Sequence, residues 1–208
     1  MKRIYCLFFI LNCCCGLMFG NNDALIQKIQ NTNGGHKSAS CPFTQSKHLK
    51  MMEKSVDSKG TLYVMNDKMS MIYSEPAGDF LVINGDKFVM NVRGRLIEHN
   101  VKEGSPMRIL RNTLLLCMKC DIKAIAAETK SEISYNGDGK YHEFTITRKE
   151  KVTRGYSKVI LSFDKKDLSL KIMNMEEPNG SYTIYELGKT IYNSEINQDV
   201  FLVPVKKK

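Results

Sequence analysis

The chain has 208 residues, 31 of them Lys or Arg against 22 Asp or Glu, for a formal charge of +9, and no Trp. This length is ample for one domain with its own core. A basic balance fits nucleic acid, an anionic membrane surface or an acidic partner. The positive residues are scattered through strand-like segments and no nucleic-acid module signature occurs, which excludes the first.

Lys2 and Arg3 precede an apolar run over residues 4–19, broken only by Asn12 and Gly16, and the polar Asn21-Asn22-Asp23 follow. A charged start, an apolar stretch shorter than the ~20 residues of a spanning helix and a small exit residue at Gly20 predict a secretory leader over residues 1–20. The alternatives are an uncleaved anchor and a lipid-attachment site in Cys13-Cys14-Cys15. The latter is disfavoured because Asn12 or a cysteine stands where a small residue is wanted. The expected product is one soluble domain, residues 21–208, outside the cytoplasm. Its seven cysteines fall to Cys41, Cys117 and Cys120, too few for a disulfide framework. The Lys206-Lys207-Lys208 run reads as a solvated end.

Residues 23–30 read as a short amphipathic helix with Leu25, Ile26 and Ile29 on one face, and residues 31–40 as a loop. From Phe43-Thr44-Gln45 onward the pattern alternates with period two. After Gly60, Leu62 and Val64 lead to a turn at Asn66-Asp67. Met69, Met71 and Tyr73 then point one way and Ser70 and Ser74 the other, until Pro76 stops the strand. Phe80 and Val82 resume before Asn84-Gly85. Further turns are expected at Arg93-Gly94, at residues 136–139 and at Pro178-Asn179-Gly180. A face built with methionine is soft, because the unbranched thioether repacks around different guests.

One interruption breaks the strand pattern. Over residues 106–127, Met107, Leu110, Leu114, Met118 and Ile122 recur at helical spacing, with Ser105 as cap and Pro106 at the first helical position. Leu115, Leu116 and Cys117 widen the apolar stripe beyond one face, which predicts burial from two sides. Strands return over residues 132–135, 141–147, 157–163, 168–175 and 182–191. The predicted fold is α+β: a single curled antiparallel sheet, an incomplete β-barrel, with helices covering its concave side.

The order of Phe43-Thr44-Gln45, Gly60 with Leu62, Met69, Met71 and Tyr73, then Pro76 and Asn84-Gly85 resembles the outer-membrane lipoprotein carrier (LolA-like) family. Ser105-Pro106-Met107 and the tail from residues 161–164 and 182–185 to Phe201 and Pro204 extend the resemblance over nearly the whole mature chain. It implies a half-barrel with a helical lid, working in the periplasm as a monomer. Its partners would be acylated lipoproteins or related lipids, an inner-membrane donor and an outer-membrane acceptor. The expected lipid-binding residues are Leu62, Val64, Met69, Met71, Tyr73, Phe80 and Val82 on the sheet, and Met107, Leu110 and Leu114 on the lid. Pattern alone favours an ordinary sheet-on-helix core, and the resemblance moves the balance toward a cavity. One departure concerns the lid: where the family has Arg-Pro, this chain has Asn66-Asp67, and an Asn lacks the charged fork thought to latch the helices.

Little else points to chemistry. Cys117 and Cys120 have the spacing of a redox pair, but Leu114-Leu115-Leu116 precede them, placing both about three turns into the helix as buried structural thiols. His36, His48, His99 and His142 have no metal-ligand spacing, and Glu176-Glu177 face opposite ways on a strand. No nucleophile elbow, zinc-protease helix or phosphate loop occurs, so neither an enzyme nor a cofactor is expected. The remaining alternatives are a lipid-sensing regulatory module of the same fold and a thiol oxidoreductase.

Overall fold

A computed structural model describes residues 16–103 and 105–203. The elements are α1 (Gly16–Gly34), β1 (Ser38–Leu49), β2 (Lys54–Met65), β3 (Lys68–Glu75), β4 (Phe80–Asn84), β5 (Lys87–Val92) and β6 (Arg95–Asn100). Two helices follow, α2 (Pro106–Met118) and α3 (Ile122–Thr129). The chain returns to strands in β7 (Ser131–Asn136), β8 (Tyr141–Arg148), β9 (Lys158–Asp164), β10 (Leu170–Glu176), β11 (Tyr182–Leu187) and β12 (Ile191–Tyr192). The leader expected over residues 1–20 lies mostly outside the described residues.

Every strand pairs antiparallel, in the order β6-β5-β4-β3-β2-β1-β11-β10-β9-β8-β7, with β12 alongside β1. The chain therefore winds outward from β1 to one edge at β6, crosses to the opposite edge at β7, and winds back to β11 beside β1. The crossing segment is α2 and α3. The sheet curls, because Phe88 on β5 shares one buried cluster with Phe144 and Phe163 on β8 and β9, and Leu114, Leu115, Ile122 and Ile125 of the helices fill the space between. This is the expected α+β architecture, an unclosed antiparallel sheet with helices on its concave side.

The predicted helix over residues 106–127 is two helices. Ser105 caps the first, its Oγ accepting the Arg108 N–H at 3.3 Å. That helix ends where Cys120 adopts a left-handed φ of 53°. There the Cys120 N–H donates to the Cys117 carbonyl and the Asp121 N–H to the Leu116 carbonyl, each at 3.0 Å. This paired arrangement closes many helices, though usually with glycine at the left-handed position. Asp121 then starts α3 by accepting the Ala124 N–H. Apolar spacing runs on unbroken through Ile122, so it conceals the break.

The loop expected over residues 31–40 is shorter. Asn33 is buried and its Nδ2 donates to the Ile29 and Leu168 carbonyls, which carries α1 on to Gly34. The strand expected over residues 182–191 divides at Gly188, whose N–H turns to the Pro42 carbonyl at 2.9 Å. Likewise β10 begins at Leu170 rather than 168, since Leu168 sits in a turn with φ 58°.

One bulge interrupts the β2–β3 pairing just beyond Tyr73. Lys59 pairs with Glu75 but Gly60 with Tyr73, leaving Ser74 as an extra residue. A Cβ at position 60 would lie 2.2 Å from the Ile72 carbonyl oxygen, so only glycine lets β2 and β3 approach this closely. Gly60→Ala is expected to lower stability by about 1–3 kcal/mol, the range for a strained insertion into a packed site. Urea denaturation checks this, and an unchanged midpoint would mean that the strands part without penalty.

Candidate functional site

The curl leaves a cavity of about 700 Å³ between the concave side of the sheet and α2. Its walls are mainly apolar: Val56 on β2, Leu81 on β4, Phe88 and Met90 on β5, and Leu110 and Leu114 from the helix. Charged groups, Lys47, Lys54, Asp57, Glu75, Asp79 and Arg93, border it. Two of the carboxylates are engaged locally. Asp79 Oδ1 accepts the Arg93 backbone N–H at 2.6 Å, and Glu75 pairs with Lys59 at 2.7 Å, an exposed contact that contributes little stability.

Three tyrosines also face the cavity: Tyr73 from β3, Tyr156 from the β8–β9 loop and Tyr185 from β11. Tyr73 follows Met69 and Met71 in regular alternation to the concave side, where its hydroxyl donates to Gln45 Oε1 at 2.6 Å. Phe43 stands beside two of these rings, edge-on to Tyr73 at 5.2 Å between centroids and tilted to Tyr185 at 6.4 Å. Burial pushes the Tyr156 hydroxyl up to about 12, with the nearby Glu177 acting in the same direction. Burial raises Tyr73 and Tyr185 further still, so all three remain protonated donors at any physiological pH.

The ten expected lipid-binding residues divide into three groups. Tyr73, Leu110 and Leu114 line the cavity. Leu62, Val64, Met69 and Met71 are buried in the main core behind it, and Met107 is half-buried against that core. The methionines on the cavity wall are instead Met52 and Met90. The expectation that Phe80 and Val82 lie beside Met69 and Met71 is corrected by the register of β3 and β4. Phe80 pairs with Ile72 and Val82 with Ser70, which puts both side chains on the outer face. There they form a separate cluster with Val89, packed by Val203, although Phe80 also borders the cavity. The inward positions of β4 belong to Leu81 and Ile83. In the strand Phe80–Asn84 both faces are apolar, so its sequence gives no sign of which face is inward. A second hollow of about 860 Å³ lies on the outer face, between Ile72, Phe80, Val82, Leu96 and the segment ending in Leu202 and Val203.

Tyr156, Tyr185 and Gln45 are lining residues that the sequence reading does not anticipate. Alternation from Phe43 gives Gln45 the same face, and Thr183 and Tyr185 share one parity on β11, so two of the three carry a signal. Tyr156 sits in a loop and carries none. At the Asn66-Asp67 turn, Asp67 borders a cleft with Arg111 and Lys119.

Cys117 and Cys120 are both fully buried. Burial pushes the Cys117 thiol up to about 12 and raises Cys120 further, aided by Cys117. Cys120 lies at the turn that ends α2, not inside the helix. Among the described residues no group of three or more His, Cys, Asp or Glu side chains converges as a metal site.

No curated protein matches the chain at the level of sequence. Among solved structures, an uncharacterised conserved protein from Thermus thermophilus superposes with a TM-score of 0.52 at 8 % identity, over 89 % of this chain and 95 % of that one. MucB gives a TM-score of 0.52 at 9 % identity, over 90 % of this chain and 64 % of that one. A putative outer membrane lipoprotein-sorting protein domain from Vibrio parahaemolyticus gives 0.43 at 11 % identity, over 86 % and 95 %. For the first two, at 8 % and 9 % identity, the likeness is one of fold alone. The family is established by sequence: the model of the outer membrane lipoprotein carrier protein LolA matches residues 35–203, and the chain belongs to that family.

Proposed function

We propose that the protein is a periplasmic carrier that shields the acyl chains of lipoproteins, or of a related lipid, and delivers them from an inner-membrane donor toward an outer-membrane acceptor. The observation that carries this reading is the largely apolar, partly open cavity of about 700 Å³ between the sheet and the lid helix. Its size falls within the ~300–1,000 Å³ typical of ligand pockets. Among the described residues no helix is long and apolar enough to cross a membrane, as a shuttling carrier requires.

Magnitudes make the need for shelter plain. At ~0.8 kcal/mol per methylene, an acyl chain of about fifteen methylenes is disfavoured in water by roughly 12 kcal/mol. At ~30 Å³ per water-sized group the cavity accommodates roughly two dozen such groups, enough for one long chain. A cargo with several chains therefore requires α2 to move outward. Leu110, half-buried on the helix and lining the cavity, is the residue through which this is best tested.

Delipidated protein is expected to extract acylated lipoprotein from membrane vesicles into solution, and Leu110→Arg is expected to reduce extraction at least about tenfold by placing a charge in the hydrocarbon path. Thermal melting of the variant controls for folding. Full extraction by a correctly folded Leu110→Arg protein would overturn the reading. The thiols are given a structural role: Cys117 and Cys120 are expected to resist a maleimide reagent at pH 8 in the folded protein and to react in denaturant, and the double alanine variant is expected to keep extraction. Rapid labelling of the folded chain, together with loss of function in that variant, would favour the thiol oxidoreductase instead.

A further inference from the structure

The cavity contains more hydrogen-bond donors than a hydrocarbon needs. Tyr73 is committed to Gln45, and that bond fixes the orientation of the amide: with Oε1 accepting from Tyr73, Nε2 is left as a donor. Gln45 pairs directly across the sheet with Tyr185, and both are cavity residues. The hydroxyls of Tyr185 and Tyr156 have no hydrogen-bond partner among the described residues, and the groups felt by Tyr185 are the other two phenols. Gln45, Tyr185 and Tyr156 thus form an array of neutral donors set in apolar walls, steadied by the Phe43 ring. These donors line the cavity and are spent on no protein acceptor, so an acceptor brought in from outside can meet them there.

The cations bordering the cavity stand elsewhere. Lys54 and Arg93 are exposed and Lys47 is half-exposed, which leaves the phenol cluster without a positive charge to neutralise a carboxylate. A neutral carbonyl oxygen, flanked by hydrocarbon, fits both the donors and the walls. We propose that Gln45, Tyr156 and Tyr185 hold the carbonyl oxygen of an acyl ester or amide, so that the ligand is a carboxyl-linked acyl group rather than a bare hydrocarbon or an ionised fatty acid. The assignment rests on the carrier reading above and specifies its ligand. Burial keeps both phenols protonated, so the donors persist at any physiological pH.

The test uses the full chain, delipidated, with three fluorescent probes of equal chain length: a diacylglycerol lipopeptide with ester links, its dialkyl ether analogue, and the free fatty acid. The ester is expected to bind about tenfold more tightly than the ether, the size of one well-made hydrogen bond. In Tyr156→Phe/Tyr185→Phe, which keeps the rings and the packing, that preference is expected to vanish while ether binding stays the same. Equal affinity of the native protein for ester and ether, or a preference that survives in the double variant, would overturn the assignment. So would tighter binding of the free acid at neutral pH, which points to a carboxylate site. A double variant that binds both probes more tightly shows that the phenols held only water, and also overturns it. Failure of all three probes to bind the native protein counts against the carrier reading itself, a result distinct from binding without selectivity.

Discussion

An antiparallel sheet that curls without closing has a concave apolar face and two unpaired edges, and something must cover the first while connecting the second. Here α2 and α3 do both, because the meander ends at β6 on one edge and must restart at β7 on the other. A straight helix passing over a curved surface touches it unevenly. Leu114, Leu115, Ile122 and Ile125 reach the core, while around Leu110 the surfaces part and leave the cavity. Chain order makes the crossing obligatory, and the mismatch in curvature makes the space beneath it a natural consequence.

The same constraint sorts the local devices by purpose. Gly60 lets β2 and β3 approach closely beside a bulge at Ser74, next to the inward Tyr73 that donates to Gln45. The left-handed Cys120 ends α2, so that α3 can take a new direction toward β7 and β8, and two thiols become packing groups where the lid bends. On the outer face, the segment from Asn197 to Val203 returns over β3 and β4, with Asn84 Nδ2 donating to the Phe201 carbonyl and Val203 packing on Phe80 and Val82. The half of the sheet that holds the cavity is therefore covered on both faces.

Much of this is legible in the sequence because period-two alternation and turn residues are local properties. The hairpins at Asn66-Asp67, Asn84-Gly85 and Arg93-Gly94 and the capped start of α2 all follow from residues a few positions apart. What escapes is parity and continuity. The loop after Glu75 does not fix which way Phe80 points, and β4 is apolar on both faces, so only pairing with Ser70 and Ile72 decides. The stripe through Met118 and Ile122 reads as one helix, because a break made by backbone hydrogen bonds to Leu116 and Cys117 leaves the apolar spacing undisturbed. Met69 and Met71 lie in the solid main core rather than on the cavity wall. Softness of a side chain does not say whether space stands next to it.

In the carrier proposed above, a lid over hydrocarbon must close firmly enough to exclude water and loosely enough to yield its guest. The apolar part of the contact favours closure, as Leu114 and Leu115 are almost fully buried. Working against it, the Nε atoms of Arg108 and Arg111 on the same helix are buried without hydrogen-bond partners. Each unmet donor disfavours the closed arrangement by ~1–3 kcal/mol, and outward movement of α2 restores both to water. The burial of a few leucines, at ~1.5–3 kcal/mol each, is of similar size and opposite sign. The closed lid is thus held by a small difference between comparable terms, and the ~0.8 kcal/mol per methylene gained by an entering chain is large enough to decide the balance. On the proposed carrier reading, a guest, or an acceptor surface on which the guest is sheltered equally well, suffices to shift such a lid.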